Sequence, residues 1–187
     1  MFTRRTLMIG AAAAAVARPA RAGAILTDDG LYRQPWFLES FLELADDLDG
    51  AARAGKRFAI MWELKGCPYC RETHPVNFAR PDIEDYVRNN FEVLQLNIIG
   101  SREVTDFDGS KSSEKALAAR YGIRFTPTFQ FFPETAAGLA ARPPESREIA
   151  RAPGYLRPDD FLTLFRFVRE KAYETKSFRD YVRAARG

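Results

Sequence analysis

The 187-residue sequence predicts an α/β fold, a mixed β-sheet flanked by helices. Two observations carry this. Apolar stretches at 57–64, 91–98 and 126–132 alternate with segments of helical periodicity. The third is followed, with no helix between, by "REIAR" at 147–151, whose alternation implies an antiparallel edge strand. Composition supports a packed core: 46% of residues are hydrophobic and 15 are phenylalanine. No internal repeat or second domain boundary is visible.

The chain opens "MFTRRTLMIGAAAAAVARPARA". Arg4 and Arg5 precede an apolar run from Leu7 to Ala17, and Ala20-Arg21-Ala22 is a small-x-small end. This is the layout of an export signal, and the run is too short to span a bilayer comfortably. "TRRTLM" partly matches a twin-arginine motif, so the general secretory and twin-arginine routes both stay open. Residues 1–22 are expected to be the signal, and 23–187 one domain that does not span a membrane. The signal holds four arginines and no acid, so without it the 28 basic residues become 24 against 25 acidic. The net charge of +3 therefore gives no case for nucleic-acid binding.

Residues 23–35 read as irregular. From Trp36, apolar residues recur at three and four through Leu48, predicting a helix that Gly55 stops. "RFAIMWEL" at 57–64 suits a buried central strand. Pro68 favours a helix start, and that helix is expected to reach about Asn89, bent at Pro75 and interrupted near Pro81. "FEVLQLNI" at 91–98 is the next strand, and the polar 100–113 reads as loop. Within it "DFDGS" reads as a turn, because its glycine comes too early for a calcium loop. A short helix over 114–122, a strand over 126–132 and a loop over 133–146 follow. Phe161, Phe165, Val168 and Ala172 mark a long helix behind "RPDD", and Phe178, Tyr181 and Val182 a polar helical tail.

"KGCPYCRETHP" at 65–75 holds both cysteines and the single histidine. A bridge closing two intervening residues constrains the unfolded chain very little, so Cys67 and Cys70 make a poor staple and a good redox switch. Cys67 falls just before Pro68, where unpaired helix N–H groups favour a thiolate. Cys70 falls one turn inside. Cys67 is therefore expected to attack a partner disulfide and Cys70 to resolve the mixed disulfide.

The surrounding residues resemble the thioredoxin family over about 57–170. A buried strand feeds the CxxC, and Pro75 follows Cys70 by five, as the family's helix-kinking proline does. "YGIRFTPTFQFF" is similar to the stretch carrying the family's cis proline, here Pro127 preceded by Thr126. "GY" at 154–155 resembles the glycine stretch entering the last helix. The resemblance implies a thioredoxin-like fold with loop insertions and a C-terminal helical extension. It also implies thiol–disulfide exchange with protein disulfides gripped by backbone beside Pro127, and no cofactor. "GCPYCR", "VTDFDG" and "APGYLRPDDFL" resemble more closely the SoxW-type periplasmic thioredoxins linked to sulfur oxidation. That implies a periplasmic reductant charged by a membrane thiol transporter.

Two departures stand out. The family's buried aspartate, six residues before the first cysteine, is Met61 here. Glu63 is the nearest carboxylate, and it either takes the proton-acceptor role or points to solvent on the strand's other side. The dipeptide between the cysteines is Pro-Tyr, as in glutaredoxins, so no particular potential follows; known pairs span roughly −270 to −120 mV. Tyr69 is expected to sit exposed beside Cys67, touching the partner or acting as a spacer. Arg71 reads as a solvated helix residue.

The residues leave open the direction of electron flow, with a disulfide oxidant or isomerase as the near alternative. A metal-binding module using Cys67, Cys70 and His74 is another reading, although a structural zinc wants four ligands and no fourth Cys or His exists. The first expectation for His74 is a packing or surface role, and no metal. A docking protein whose disulfide never turns over is a third reading. Covalent haem is excluded, because Arg71 stands where a histidine would be needed.

Overall fold

The structure is a computed structural model and describes residues 23–186; the expected export signal, 1–22, lies outside the described residues. The chain starts with a small antiparallel hairpin, β1 (Ile25–Leu26) and β2 (Tyr32–Arg33), where an irregular segment was expected. The Thr27 hydroxyl accepts from the Leu31 amide at 3.1 Å. Gly30 holds φ +78°, and the Lys65 side chain packs where a Cβ would stand.

The first helix, α1, spans Leu44–Arg53 and begins eight residues later than the apolar period suggests. Leu42 sits at φ +64°, which no helix tolerates, and the Arg33 guanidinium donates to the Leu38 carbonyl at 2.9 Å. The apolar run is shared between two cores rather than lying on one helix face. Phe37 packs on one side of the sheet, and Leu42, Leu44 and Leu48 on the other.

Next come β3 (Arg57–Glu63), α2 (Pro68–Glu72), a π-helical turn (Thr73–Phe78), α3 (Pro81–Asn90) and β4 (Phe91–Asn97). The long cysteine helix is thus three pieces. Pro75 has no N–H to give the preceding turn, and the turn widens: the Ala79 amide reaches back five residues to the His74 carbonyl at 3.0 Å. The break at Pro81 lies where it was expected, with Arg80 extended before it.

The expected loop at 100–113 contains a second hairpin, β5 (Glu103–Thr105) and β6 (Lys111–Ser113), around a turn at Asp106–Ser110. Its strands are short and mostly polar, so no apolar alternation marks them. Then follow α4 (Glu114–Arg120), β7 (Thr128–Phe131) and β8 (Ala150–Pro153), the edge strand set three residues later than expected. Helices α5 (Pro158–Arg169) and α6 (Phe178–Arg186) close the chain. Phe178 and Tyr181 lie against Phe167, with ring centroids 5.5 and 5.4 Å away.

The main sheet has the order β4-β3-β7-β8. β3 and β4 are parallel, with Ala59 opposite Val93; β3–β7 and β7–β8 are antiparallel. Strand parity divides the core. Ala59 and Met61 face α3 and α5, whereas Phe58, Ile60 and Trp62 face α1 and α4. On the first face Phe78 is the hub, meeting Trp36, Phe37 and Phe161 edge-on at 5.2–5.4 Å. Such ring pairs add about 0.5–1.5 kcal/mol each beyond area burial. They fix the π-helical turn, and with it the end of the cysteine helix, against the sheet.

Candidate functional site

The end of β3 turns at Gly66, φ +78°, and delivers Cys67 to the N-terminus of α2. Pro68 starts the helix, and Cys67 is its N-cap, with the sulfur itself as acceptor: the Cys70 amide donates to Cys67 Sγ at 3.1 Å. A backbone N–H aimed at this sulfur favours its charged form when the pair is reduced. Cys67 and Cys70 are joined as a disulfide. Cys67 is half-buried and Cys70 only 3% exposed.

Across from the pair lies the turn before β7. The Thr126–Pro127 peptide bond is cis. The Thr126 carbonyl oxygen stands 3.5 Å from Cys67 Sγ, and the Pro127 carbonyl accepts from the Gly154 amide at 2.7 Å. Thr126 and Pro127 are thereby brought to the Cys67 side of the bridge. Aromatic surface rims the pair. Tyr69 is 56% exposed and stacks on Tyr155 at 5.9 Å, and Phe125, beside Thr126, is 66% exposed. Tyr155 and Phe125 carry no local motif and were not singled out from sequence.

Beneath the pair lies a buried polar layer. Glu63 is 1% exposed and shares a face with Ala59 and Met61, so the solvent-facing alternative does not occur. It stands one pleat nearer the cysteines than Met61. Its carboxylate accepts from Gln95 Nε2, which also donates to the Tyr32 carbonyl at 2.6 Å. The other oxygen lies 3.1 Å from His74 Nε2. His74 is fully buried, and Gln34 Nε2 faces its Nδ1 at 3.2 Å. With that amide orientation Nδ1 accepts, and the ring proton sits on Nε2, donated to Glu63. His74 is therefore neither a surface residue nor a simple packing residue. Its nitrogens turn to Glu63 and Gln34, so the three-ligand set with Cys67 and Cys70 is not assembled. Strand parity from Met61 to Glu63, with His74 one turn past Cys70, was the signal for this pairing; Gln34 and Gln95 gave none.

A cleft of about 560 Å³ opens beside the disulfide, between the β1–β2 hairpin and α2, and Glu63, Cys67 and Cys70 all line it. The arrangement offers one accessible sulfur under backbone N–H control, a second sulfur behind it, and a carboxylate at the floor.

A parallel β3–β4 pair, two antiparallel strands, a CxxC at a helix start and a cis proline opposite it define a thioredoxin-like fold. The chain belongs to the thioredoxin-like domain family, whose model matches residues 44–169. No curated protein matches the chain by sequence. Among solved structures it is similar to a thioredoxin-fold protein from Helicobacter pylori, at 20% identity and TM-score 0.55 over 74% of this chain and 92% of that one. A thioredoxin from Thermus thermophilus matches at 21% identity and TM-score 0.49, over 67% and 83%. The C-terminal domain of Neisseria meningitidis DsbD, in its reduced form, matches at 14% and 0.44, over 66% and 91%. The first of these likenesses supports the fold. Among the described residues, no helix is long and apolar enough to cross a membrane.

Proposed function

We propose that the protein is an exported thiol–disulfide oxidoreductase that reduces protein disulfides. The observation that carries the reading is the half-buried Cys67 sulfur, which accepts the Cys70 amide and lies 3.5 Å from the Thr126 carbonyl beside cis-Pro127. In the reduced enzyme the Cys67 thiolate attacks one sulfur of the partner's disulfide. A Cys67–partner bond forms, and the partner's other sulfur leaves with the electron pair. Cys70 gives up its proton and attacks Cys67 Sγ; the Cys67–Cys70 bond forms and the partner departs as its second thiolate. Glu63 is the proton acceptor for Cys70. Backbone at Thr126 and Pro127 holds the partner chain, and Tyr69 contacts it.

The reducing direction rests on the resemblance to SoxW-type periplasmic thioredoxins, as do a membrane thiol transporter as electron donor and a link to sulfur oxidation. The periplasmic location rests on that resemblance together with the signal-like layout of residues 1–22.

Two measurements test this. Cys70→Ser should trap mixed disulfides with partner proteins that Cys67→Ser does not; if neither variant traps any, the pair does not exchange with protein disulfides. The equilibrium potential of Cys67–Cys70 tests direction. A value at or below about −230 mV agrees with a reductase, and one near −120 mV makes the protein an oxidant.

A further inference from the structure

The exchange reading assigns no work to the buried histidine. His74 is the chain's single histidine. It is fully buried, and the π-helical turn carries it beneath the cysteine pair. Phe37 and Phe78 wall it at 6.1 and 5.8 Å. The Glu63 carboxylate is held by two donors, one on each oxygen: Gln95 Nε2 and His74 Nε2.

We infer that His74 is a positioning residue for the resolving step: through its Nε2–H bond it holds the Glu63 carboxylate in place, so that Glu63 can take the proton of Cys70. The inference rests on the exchange reading above. In the mixed disulfide the Cys70 thiol gives its proton to the Glu63 carboxylate by way of the cleft they share. The Cys70 sulfur then bonds to Cys67 Sγ, and the Cys67–partner bond breaks with its electron pair going to the partner. Two electrons have then passed to the partner, and the proton on Glu63 leaves through the cleft to solvent. A carboxylate swung away from the cleft could not reach the Cys70 proton.

Other polar and charged groups surround the dyad. On the Glu63 side the cleft presents Asp28, Tyr32, Lys65 and Arg71 with the two cysteines. On the His74 side stand Tyr32 and Gln34 from the N-terminal segment, Arg71 and Glu72 from α2, and Glu84 from α3. Each of these persists in the variants below, so a change between variants reports on the dyad.

The test is stopped-flow reaction of the reduced full-length protein with 5,5′-dithiobis(2-nitrobenzoate) across pH 5–9. The first coloured thiolate is released by Cys67 and the second, in a unimolecular phase, by Cys70. His74→Leu should slow the second release at least about tenfold at pH 7, the low end of what a positioned base supplies. The first release should change less than about twofold. Glu63→Gln should match it, and the double variant should add nothing. His74→Gln, whose amide can still donate, should recover the wild-type profile to within about threefold.

An unchanged second release in His74→Leu or in Glu63→Gln overturns the inference. Equal slowing of both releases in His74→Leu, or no recovery in His74→Gln, does so too. If His74→Leu does not fold, Glu63→Gln and His74→Gln decide the matter. A reduced protein that releases no coloured thiolate at all sinks the exchange reading itself, which the other outcomes leave standing.

Discussion

Arg147→Met should be among the most damaging single changes away from the cysteines. The guanidinium is almost fully buried and is the clasp between two insertions. Its Nε donates to the Leu139 and Arg142 carbonyls at 3.1 and 2.9 Å, holding the 133–146 segment. Its Nη1 reaches Asp106 at 2.8 Å and its Nη2 reaches Asp108 at 2.8 Å, in the turn of the β5–β6 hairpin. Burial works against the charged guanidinium, but Asp108, Tyr121 and Asp106 outweigh it and hold the group above its usual range. Ser110 and then Arg147 hold the Asp108 carboxyl well below the usual carboxylate range. Methionine fills a similar volume and makes none of these bonds. Asp106, whose side chain is fully buried, would keep Arg120 at 3.2 Å and the Tyr121 hydroxyl at 2.7 Å. Breaking a buried pair from one side costs about 3–5 kcal/mol, out of a total of about 5–15 for a domain. The assay is urea denaturation of Arg147→Met, Asp106→Asn and the double variant. The double variant should cost less than the sum of the singles, by at least about 1 kcal/mol. A cost for Arg147→Met below about 1 kcal/mol, or strict additivity, would refute the idea that this ion pair clasps the insertions.

Three further outcomes are expected. Phe78→Ala should cost about 3–5 kcal/mol in the same denaturation, because the ring it removes joins Trp36, Phe37 and Phe161; a cost under about 2 would show that the hub repacks. Asp47 is pushed up to about 6 from an ordinary 3.8, mainly by burial, although Ser40 donates to it. Its contribution to stability is therefore present below about 3.8 and lost as pH rises through about 6. Asp47→Asn should accordingly gain on wild type in thermal melts between pH 4 and 7, and a difference independent of pH would contradict this. Tyr69→Ala should slow exchange with a protein disulfide by roughly fivefold, the worth of one aromatic contact near 1 kcal/mol. Exchange with a small aromatic disulfide should change less than about twofold, so equal loss on both substrates would deny Tyr69 a partner contact.

Local chemistry was what the sequence disclosed best. Pro68 after Cys67 marks a helix start wherever it occurs, and the breaks at Pro75 and Pro81 follow from a missing N–H. The strands 57–64 and 91–98 were visible because both their faces are covered. The segment from Trp36 to Leu48 misled because periodicity records apolar residues and not which core receives them. The β5–β6 hairpin was hidden by its polarity, and the edge strand was displaced because Arg147 in "REIAR" serves the clasp instead of the sheet. In the site, the cysteines were legible from motif and spacing, and Pro127 from the resemblance to the thioredoxin family. The Glu63–His74 contact depends on how strand and helix pack, which neither segment specifies alone.

The segment between Trp36 and Leu42 has a consequence beyond joining two cores. It runs along the outer side of β4, the margin of the main sheet. Leu38 donates its amide to the Val93 carbonyl at 2.9 Å, and two residues on the Arg102 guanidinium donates to the Gln95 carbonyl at 3.1 Å. Those carbonyls are the groups an incoming strand would need. An open strand margin invites pairing with other chains, and here a crossing peptide and an arginine already occupy it. The left-handed Leu42 and the late start of α1 thus leave enough chain outside the helix to guard that margin against self-association.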